Sequence, residues 1–300
     1  MTIILPEPGS PRRPHGPRDP GDAWVEGPAG KFWGRFGAAG LLAVDPDRGV
    51  LLQHRVAWSH FGGTWALPGG ARHDGESAAD GALREAHEEA GVPTSAVVPR
   101  LESVFDVGYW SYTTLVADVV EPFQPVINDP ESLALAWVQP DVVGARPLHP
   151  GFEAAWDRLR ELVAVRPALV VDAANVVGAI PDGWWRDRPA AAERLLKRID
   201  ALALAGIEAD GLGLPESRWF PEVSVVLEGA ARAVDIAVPR VTVVRAEGHG
   251  DDAIVAETRR LVAAGRQVTV VSSDKELLAR VAGEGARTHG VRWLLDRLPA

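Results

Sequence analysis

Residues 67–92 read LPGGARHDGESAADGALREAHEEAGV, and this stretch decides the fold of the first half of the chain. A Gly/Pro-rich loop is followed by a pattern that predicts a helix over Ala78–Ala90. Ser77 and Asp80 form a capping-box-like pair at its start, and Gly91 stands where a left-handed C-cap belongs. The stretch therefore predicts a glycine loop that leads into one well-delimited helix.

Three glutamates share one face of this predicted helix. Spacings of three and four residues bring Glu85, Glu88 and Glu89 together, while a separate apolar stripe can pack on a sheet. Like charges at these spacings are mildly destabilising, and a hard divalent cation removes that cost. Taken alone, the three glutamates are also compatible with a solvated acidic face. The spacing of the whole stretch is needed to distinguish this interpretation from a metal site.

The whole stretch fits a known motif. It reads Gly70, five residues, Glu76, seven residues, Arg84-Glu85-Ala86, one residue, Glu88-Glu89, one residue, Gly91-Val92. This order matches the Nudix box, G-x5-E-x7-R-E-U-x-E-E-x-G-U, with Ala86 small for the usual aliphatic residue. Over about residues 22–163 the chain resembles a Nudix hydrolase of the MutT-like sort. The resemblance implies an α/β/α sandwich with a mixed sheet.

The resemblance also implies chemistry. Nudix enzymes hydrolyse a nucleoside diphosphate linked to another group, with Mg²⁺ or Mn²⁺ as the cofactor. The residues that match the family's metal ligands are Gly69 (through its carbonyl), Glu85, Glu88 and Glu89. Glu85 is also the candidate base. Arg84 and Glu76 match residues that brace the helix, and an Arg84–Glu88 pair would orient a ligand.

Three outlying residues are candidates with open alternatives. Glu131 resembles the family's outlying glutamate, which adds a ligand or base, and is equally compatible with a solvated turn. Arg55, at the end of a predicted strand, could contact a phosphate or simply be exposed. Tyr109 has the spacing seen in Nudix enzymes that act on dinucleoside polyphosphates, and packing beside Trp110 is the alternative.

Composition limits the kinds of protein that fit. The 300 residues contain no cysteine, which excludes disulfides and thiolate chemistry and favours a reducing compartment. No apolar run approaches the length of a membrane span, so we expect a soluble, cytoplasmic protein without a membrane partner. Residues 1–165 hold 13 basic and 22 acidic residues, against 18 and 19 in residues 166–300. The front half suits a small, metal-complexed anion better than a long polyanion.

The pattern of predicted strands and helices changes near residue 165. We expect a mobile, Pro-rich tail over residues 1–21 and a Nudix domain over 22–165. Residues 166–300 alternate strands with helices, which predicts a parallel, doubly wound sheet. The fold class is therefore α/β in both halves. The oligomeric state is open.

Acidic residues follow several predicted strands of the back half. They are Asp172, Glu228, the pair Asp251-Asp252 and Asp274. Because the carboxyl ends of parallel strands meet at one edge, these carboxylates could hold one or two magnesium ions for attack on a phosphodiester. Asp251 and Asp274 are also good helix N-caps, which is the alternative for each residue singly.

Over about residues 167–298 the back half resembles the PIN-like nuclease superfamily, particularly its NYN-type branch. The short sequence motifs that carry the resemblance are VDAAN from Val171, GDDA from Gly250 and SSDKEL from Ser272. The resemblance implies a Rossmann-like fold, metal binding by Asp172, Asp252 and Asp274, a polar role for Asn175 and an accessory one for Asp251. RNA would then be a partner, although the expected basic surface is not evident.

These observations predict magnesium-dependent hydrolysis of a nucleotide pyrophosphate. One alternative is a two-step RNA pathway, in which the front domain removes a 5′ pyrophosphate and the back domain cuts the chain. Another is a nucleotide-sensing Nudix module that regulates the back domain. No nicotinamide cofactor is expected. The pyrophosphate of such a cofactor would bind at the N-terminus of a helix, and Asp251 and Asp252 at the start of the helix predicted after Gly250 would repel it.

Overall fold

The computed structural model describes residues 1–4, 20–181 and 183–299. The chain divides into two compact units, Met1–Ala164 and Val165–Ala300. No helix in these described ranges is both long and apolar enough to cross a membrane. Each unit is built around its own sheet.

The strands of the first unit are, in chain order, β1 (Thr2–Ile4), β2 (Trp24–Gly27), β3 (Gly30–Trp33), β4 (Ala38–Asp45), β5 (Gly49–Arg55), β6 (Trp65–Ala66), β7 (Gly69–Ala71), β8 (Val97–Asp106), β9 (Ser111–Val119) and β10 (Ser132–Val138). Its helices are α1 (Ala78–Ala90) and α2 (Pro150–Val163). Short 3-10 turns lie at Thr94–Ala96 and Pro140–Ala145.

A mixed sheet with the strand order β10-β5-β4-β9-β8 forms the centre of the first unit. β4 and β9 run parallel, with Ala38 opposite Tyr112, and the other neighbours run antiparallel. β7 pairs with β4 and sets Gly69 opposite Gly40. Because α1 packs on β4, β7 and β9, the helix and the glycine loop lie against the same part of the sheet.

The predicted caps delimit α1. Ser77 Oγ accepts a hydrogen bond from the Asp80 N–H at 3.1 Å. Gly91 has a φ of 64°, in the left-handed region that glycine adopts without strain, and its N–H bonds back to the last turn. Along the helix Ala82 and Ala86 are fully buried. Their small side chains let α1 lie close to the sheet.

The strands of the second unit are, in chain order, β11 (Pro167–Asp172), β12 (Ile207–Glu208), β13 (Arg218–Trp219), β14 (Glu222–Leu227), β15 (Val241–Arg245), β16 (Gln267–Val271) and β17 (Arg287–His289). Its helices are α3 (Ala173–Gly178), α4 (Arg188–Ala205), α5 (Ala209–Leu212), α6 (Gly250–Ala263), α7 (Lys275–Gly283) and α8 (Val291–Leu295). The 3-10 turns are Trp184–Arg186 and Gly229–Ala233.

The second unit contains the parallel sheet that its alternating pattern predicts, with the order β15-β14-β11-β16-β17. From β11 the chain moves outward to β14 and β15, then crosses to β16 and β17 on the other side of β11. The strand order therefore reverses between β11 and β16. In open α/β sheets, ligands bind at the carboxyl ends of the strands at such a switch point.

The beginning of the chain differs from the sequence-based expectation. Residues 2–4, expected within a mobile tail over 1–21, form β1 and pair antiparallel with β2, with Ile3 opposite Val25. The rest of the expected tail, residues 5–19, lies outside the described residues. A three-residue strand gains its order from the partner strand, and that pairing leaves no periodic signal in so short a segment.

Candidate active site

Gly69 and Gly70 set the backbone of β7 directly against the glutamates of α1. The Gly69 N–H donates to Oε2 of Glu89 at 2.9 Å. A Cβ on Gly70 would lie 2.7 Å from the carboxyl carbon of Glu85, and a Cβ on Gly69 would collide with the backbone of β4. The two glycines are therefore needed because side chains there would displace either the glutamate or the sheet.

The side chain of Arg84 connects α1 to the segment that precedes it, and all three of its nitrogen atoms donate hydrogen bonds. Its Nε and Nη2 donate to the two carboxylate oxygens of Glu76 at 2.8 and 2.9 Å. Nη1 donates to Glu85 at 2.8 Å and to Glu88 at 3.4 Å, and Nη2 also reaches the Ala71 carbonyl at 3.0 Å. The paired guanidinium lowers the pKa of the Glu76 carboxyl. The arginine thus braces one glutamate and orients another.

The three glutamates of the predicted face differ in exposure. Glu85 and Glu89 are only 2% and 3% exposed, whereas the Glu88 side chain is 43% exposed. Buried carboxylates require hydrogen-bonding partners, which Arg84 and the Gly69 N–H supply. The face of α1 that carries the three glutamates is therefore half-buried rather than fully solvated.

Tyr112 belongs to this region, and the sequence analysis did not single it out. Its hydroxyl lies over Gly40, where an added Cβ would overlap it. Burial, followed by the charges of Glu89 and Glu85, raises the pKa of Tyr112 above its usual range, and Arg55 acts in the opposite direction. The phenol stays protonated and can donate a hydrogen bond. The alternation of β9 does not distinguish it from a core residue.

Arg55 and Glu131 meet at the end of β5. Nη2 of Arg55 lies 4.0 Å from Oε2 of Glu131, and its Nε donates to the His60 carbonyl at 3.3 Å. The Glu131 carbonyl accepts from the Val56 N–H at 2.9 Å, which fixes the segment that enters β10. The structure therefore brings together two of the outlying candidates.

Tyr109 makes its contacts elsewhere. Its hydroxyl donates to the Gly30 carbonyl at 2.8 Å, and its ring lies over Gly27, where an added Cβ would be 2.5 Å away. Trp110 stacks on Phe32 with ring centroids 4.4 Å apart. These contacts join the β8–β9 loop to the β2–β3 hairpin, the packed arrangement that the sequence left open as an alternative.

Two histidines beside Arg55 were also not singled out. The rings of His60 and His149 lie 6.3 Å apart, and Phe61 stands edge-on to His149 at 4.8 Å. Burial, then the charges of Arg55 and His60, lowers the pKa of His149 to about 4. Its Nδ1 accepts from the Gly151 N–H at 3.1 Å, so in the neutral ring Nε2 carries the proton.

In the second unit, Asp172 lies at the switch point. It is 5% exposed and accepts hydrogen bonds from Asn175 Nδ2 at 2.6 Å and Ser272 Oγ at 2.8 Å. Asp274 caps α7 by accepting from the N–H groups of Glu276 and Leu277. The ends of β11 and β16 thus contribute one buried carboxylate and one cap.

Asp251 and Asp252 take different directions from the start of α6. Burial, then the charges of Asp274 and Asp172, raises the pKa of Asp251, whereas the guanidinium of Arg280 acts in the opposite direction. Asp252 is exposed and pairs with Arg280 at 2.6 Å. The resemblance to PIN-like nucleases implies a metal-binding role for Asp252 and an accessory one for Asp251. Adjacent helical residues point about 100° apart, so the two carboxylates have different surroundings.

The donor types of the first unit fit a hard divalent cation. Within the part of the chain that the structure describes, no three His, Asp or Glu side chains are gathered so that they could hold one ion as they stand. Yet Glu85, Glu88 and Glu89 present only carboxylate oxygens on one helical face, and such ligands suit Mg²⁺ or Mn²⁺. A cation would also supply the buried pair of carboxylates with a further counter-charge.

Comparisons with known proteins agree with this geometry. The model of the NUDIX domain matches residues 34–161. A Mycobacterium tuberculosis protein with the provisional name 8-oxo-dGTP diphosphatase 3 is 48% identical over 166 residues, which are 52% of this chain and 76% of that protein. A nucleoside triphosphate pyrophosphatase/Nudix hydrolase fusion protein from Bifidobacterium longum is 43% identical over 148 residues, 46% of this chain and 31% of its own.

A solved structure is similar as well. The Nudix hydrolase RenU from M. smegmatis is 50% identical, with a TM-score of 0.45, and the match covers 48% of this chain and 96% of that one. The mixed sheet, the glycine loop and the glutamate helix define a hydrolase of pyrophosphate bonds. The chain belongs to the Nudix family. Its activity is therefore that of a MutT-like nucleotide pyrophosphohydrolase, and residues 34–161, which the family model matches, lie in the first unit.

Proposed function

We propose that the first unit hydrolyses nucleoside triphosphates with an oxidised purine, of the 8-oxo-dGTP kind, to the monophosphate and pyrophosphate. The observation that carries this proposal is the set of Arg84, Glu85, Glu88 and Glu89 packed against the Gly69-Gly70 backbone. The name of the 48% identical M. tuberculosis protein supports the substrate class. A module that only senses nucleotides has no need of the full set.

We assign the metal to the carboxylates of Glu85, Glu88 and Glu89 with the Gly69 carbonyl. When bound, Mg²⁺ or Mn²⁺ supplies water activation and neutralises phosphate charge. Glu85 is our candidate for accepting the proton of the attacking water. Arg84 holds Glu85 by a 2.8 Å hydrogen bond, and the two-pronged contact with Glu76 keeps Arg84 from rotating away.

We assign Arg55 to a substrate phosphate and Glu131 to a further ligand or base. Their side chains lie 4.0 Å apart. The charge of Arg55 acts to lower the pKa of Tyr112, and the charges of Glu85 and Glu89 act to raise it. The Tyr109 hydroxyl is engaged by the Gly30 carbonyl. We therefore favour a packing role for Tyr109, and triphosphates over dinucleoside polyphosphates.

The test is a substrate screen on the full-length protein with magnesium. Phosphate release, with and without added inorganic pyrophosphatase, is measured for dGTP, 8-oxo-dGTP, sugar nucleotides, dinucleoside polyphosphates and 5′-triphosphorylated RNA. We expect the highest kcat/KM for 8-oxo-dGTP. A preference for triphosphorylated RNA would instead favour the two-step RNA alternative, and nucleotide binding without any hydrolysis would favour the sensing alternative.

For the second unit we propose a PIN-like, metal-dependent ribonuclease domain. The observation that favours it is the position of Asp172 at the end of β11 and of Asp274 just after β16, with Asp172 buried and hydrogen-bonded to Ser272. After burial, the charges of Asp274 and Asp172 also raise the pKa of Asp251. Asp252, which pairs with Arg280, would have to leave that ion pair to become a ligand. We therefore replace it by Asp251 in the proposed metal site.

The ribonuclease proposal is tested in a full-length Glu88→Gln background, so that hydrolysis of the oligonucleotide's end by the first unit does not interfere. Cleavage of single-stranded RNA with manganese should be lost in Asp172→Asn and in Asp251→Asn. Asp252→Asn serves as the matched control and should retain cleavage. If Asp252→Asn loses cleavage and Asp251→Asn retains it, the original assignment from the sequence is right.

A further inference from the structure

Two adjacent tryptophans stand at the surface of the second unit. Trp184 and Trp185 belong to one 3-10 turn, and their rings are edge-on, with centroids 6.2 Å apart and planes at 83°. Trp185 is 60% exposed. The guanidinium of Arg188 lies 5.5 Å from the centre of the Trp184 ring. We call residues Trp184–Arg188 the tryptophan platform.

The two rings of the platform differ in burial, since Trp184 is half-buried and Trp185 is exposed, and the flanking residues set the backbone. Gly183 precedes the turn with a φ of 79°, which favours glycine. Asp187 ends the turn and caps α4, and its Oδ1 accepts from the Ala190 N–H at 3.0 Å. Pro189 occupies the first turn of α4, where its fixed φ suits the helix. The rings therefore stand on a short turn whose carboxyl end is fixed by the cap of α4.

The charge around the platform is opposite to that of the chain. Residues 181–198 contain five basic and three acidic residues, whereas the whole chain has a net charge of −10. Arg186 and Arg188 are exposed. Farther along α4, Arg194 and Arg198 line a groove that also contains Ile180. Basic residues therefore outnumber acidic ones in the segment that contains the platform and the first part of α4.

We propose that the tryptophan platform binds single-stranded nucleic acid. Exposed indole faces stack on unpaired bases of any sequence, and arginines contact the phosphates between them and add cation–π contacts. Bases in a duplex are already stacked on their neighbours and do not present free faces to the indoles. The platform therefore distinguishes single-stranded from double-stranded nucleic acid and does not distinguish one base sequence from another.

The platform lies close in the chain to the switch point. α3 begins directly after Asp172 and contacts α4, and the 3-10 turn of the platform also contacts α4. α4 thus contacts both the helix that follows Asp172 and the turn that carries the two tryptophans. The binding itself does not rest on that proposed function, because it requires neither metal nor cleavage.

The experiment measures binding by fluorescence anisotropy with the full-length protein in EDTA. The probe is a labelled oligouridylate of about ten nucleotides with a 5′-hydroxyl end, compared with a duplex of the same length. We expect Trp184→Ala/Trp185→Ala to weaken binding at least about tenfold. Arg186→Ala/Arg188→Ala should weaken it and lower the salt slope by about 1. The Trp185→Phe variant, which keeps an aromatic face, should retain most of the affinity.

Matched controls separate the platform from general surface effects. Trp58→Ala removes an equally exposed tryptophan (58%) of the first unit, and Arg158→Ala/Arg160→Ala removes two exposed arginines of α2. Both controls should bind as the wild type does. The proposal is overturned if the wild type does not bind the probe, if it prefers the duplex, or if the platform variants lose no more affinity than the controls. Failed cleavage with intact binding would contradict only the ribonuclease proposal.

Discussion

Gly70 has no space for a side chain, since a Cβ there would lie 2.7 Å from the carboxyl carbon of Glu85. We expect Gly70→Ala to lower kcat/KM about 100-fold, because a displacement of about 1 Å at a catalytic group has effects of that size. Gly144→Ala is the matched control, since an added Cβ there meets nothing within 4 Å. Steady-state hydrolysis checks both variants. Unchanged kinetics of Gly70→Ala would show that Glu85 has freedom to move without consequence.

Glu88 is the glutamate whose replacement is least damaging to the fold, because its side chain is 43% exposed. Glu88→Gln should keep the wild-type melting temperature and lose at least about 100-fold in turnover. Glu89→Gln should lose as much, and its amide oxygen can still accept the Gly69 N–H. Glu153→Gln on α2 is the control. Wild-type turnover in both glutamate variants would contradict their assignment to the metal.

Helical geometry explains which site residues the sequence revealed. Spacing along one helix translates directly into one face, so Glu85 and Glu89 could be grouped without a structure. Tyr112 reaches them only because β9 lies parallel to β4 and Gly40 leaves room for the hydroxyl. The choice between Asp251 and Asp252 depends on how α6 is rotated on its sheet, and neither sequence position contains that information.

At the scale of elements, His149 connects the start of α2 to the neighbourhood of Arg55. Its pKa of about 4 lies below the ordinary 6.5, so folding favours the neutral ring. Between about pH 6.5 and 4 the unfolded chain binds more protons, and this residue's contribution to stability therefore falls as the pH drops through that window. An NMR titration of the imidazole should give a midpoint near 4.

The same titration has an internal control. Arg55→Gln removes one cause of the shift and should move the His149 midpoint upward. His149→Asn identifies the resonance and keeps a side-chain acceptor for the Gly151 N–H. A wild-type midpoint near 6.5 would mean that the ring is hydrated rather than buried beside Phe61.

Most elements were predictable because their periodicity or caps are local. The strands on both sides of the Asp45–Gly49 turn and the helix α1 are examples. β8 has no such local signal. Pro99 and the polar residues that follow it interrupt the alternation, and the pairing with β9 contains a register shift between Pro99 and Leu101. That strand depends on its partner rather than on its own pattern.

At the scale of the molecule, alternation of strands and helices predicts a parallel sheet but does not give the order of its strands. The central position of β11, with β14 on one side and β16 on the other, is a property of the packed sheet. It places Asp172 and Ser272 next to each other, joined by a 2.8 Å hydrogen bond. The sequence predicts that the acidic residues lie at one edge of the sheet, but it does not show that β14 and β16 flank β11 or that Ser272 lies beside Asp172.

The chain divides into two compact units between Ala164 and Val165. Because each unit has its own sheet and buried core, a chain of residues 1–164 should fold and hydrolyse the nucleotide substrate with wild-type KM and metal dependence. Residues 165–300 should fold separately and lack this hydrolysis. Circular dichroism melts and the kinetics of both pieces, alone and mixed, check this. If residues 1–164 fold but regain activity only on addition of residues 165–300, the second unit contributes to the nucleotide site, and the two domains are not independent.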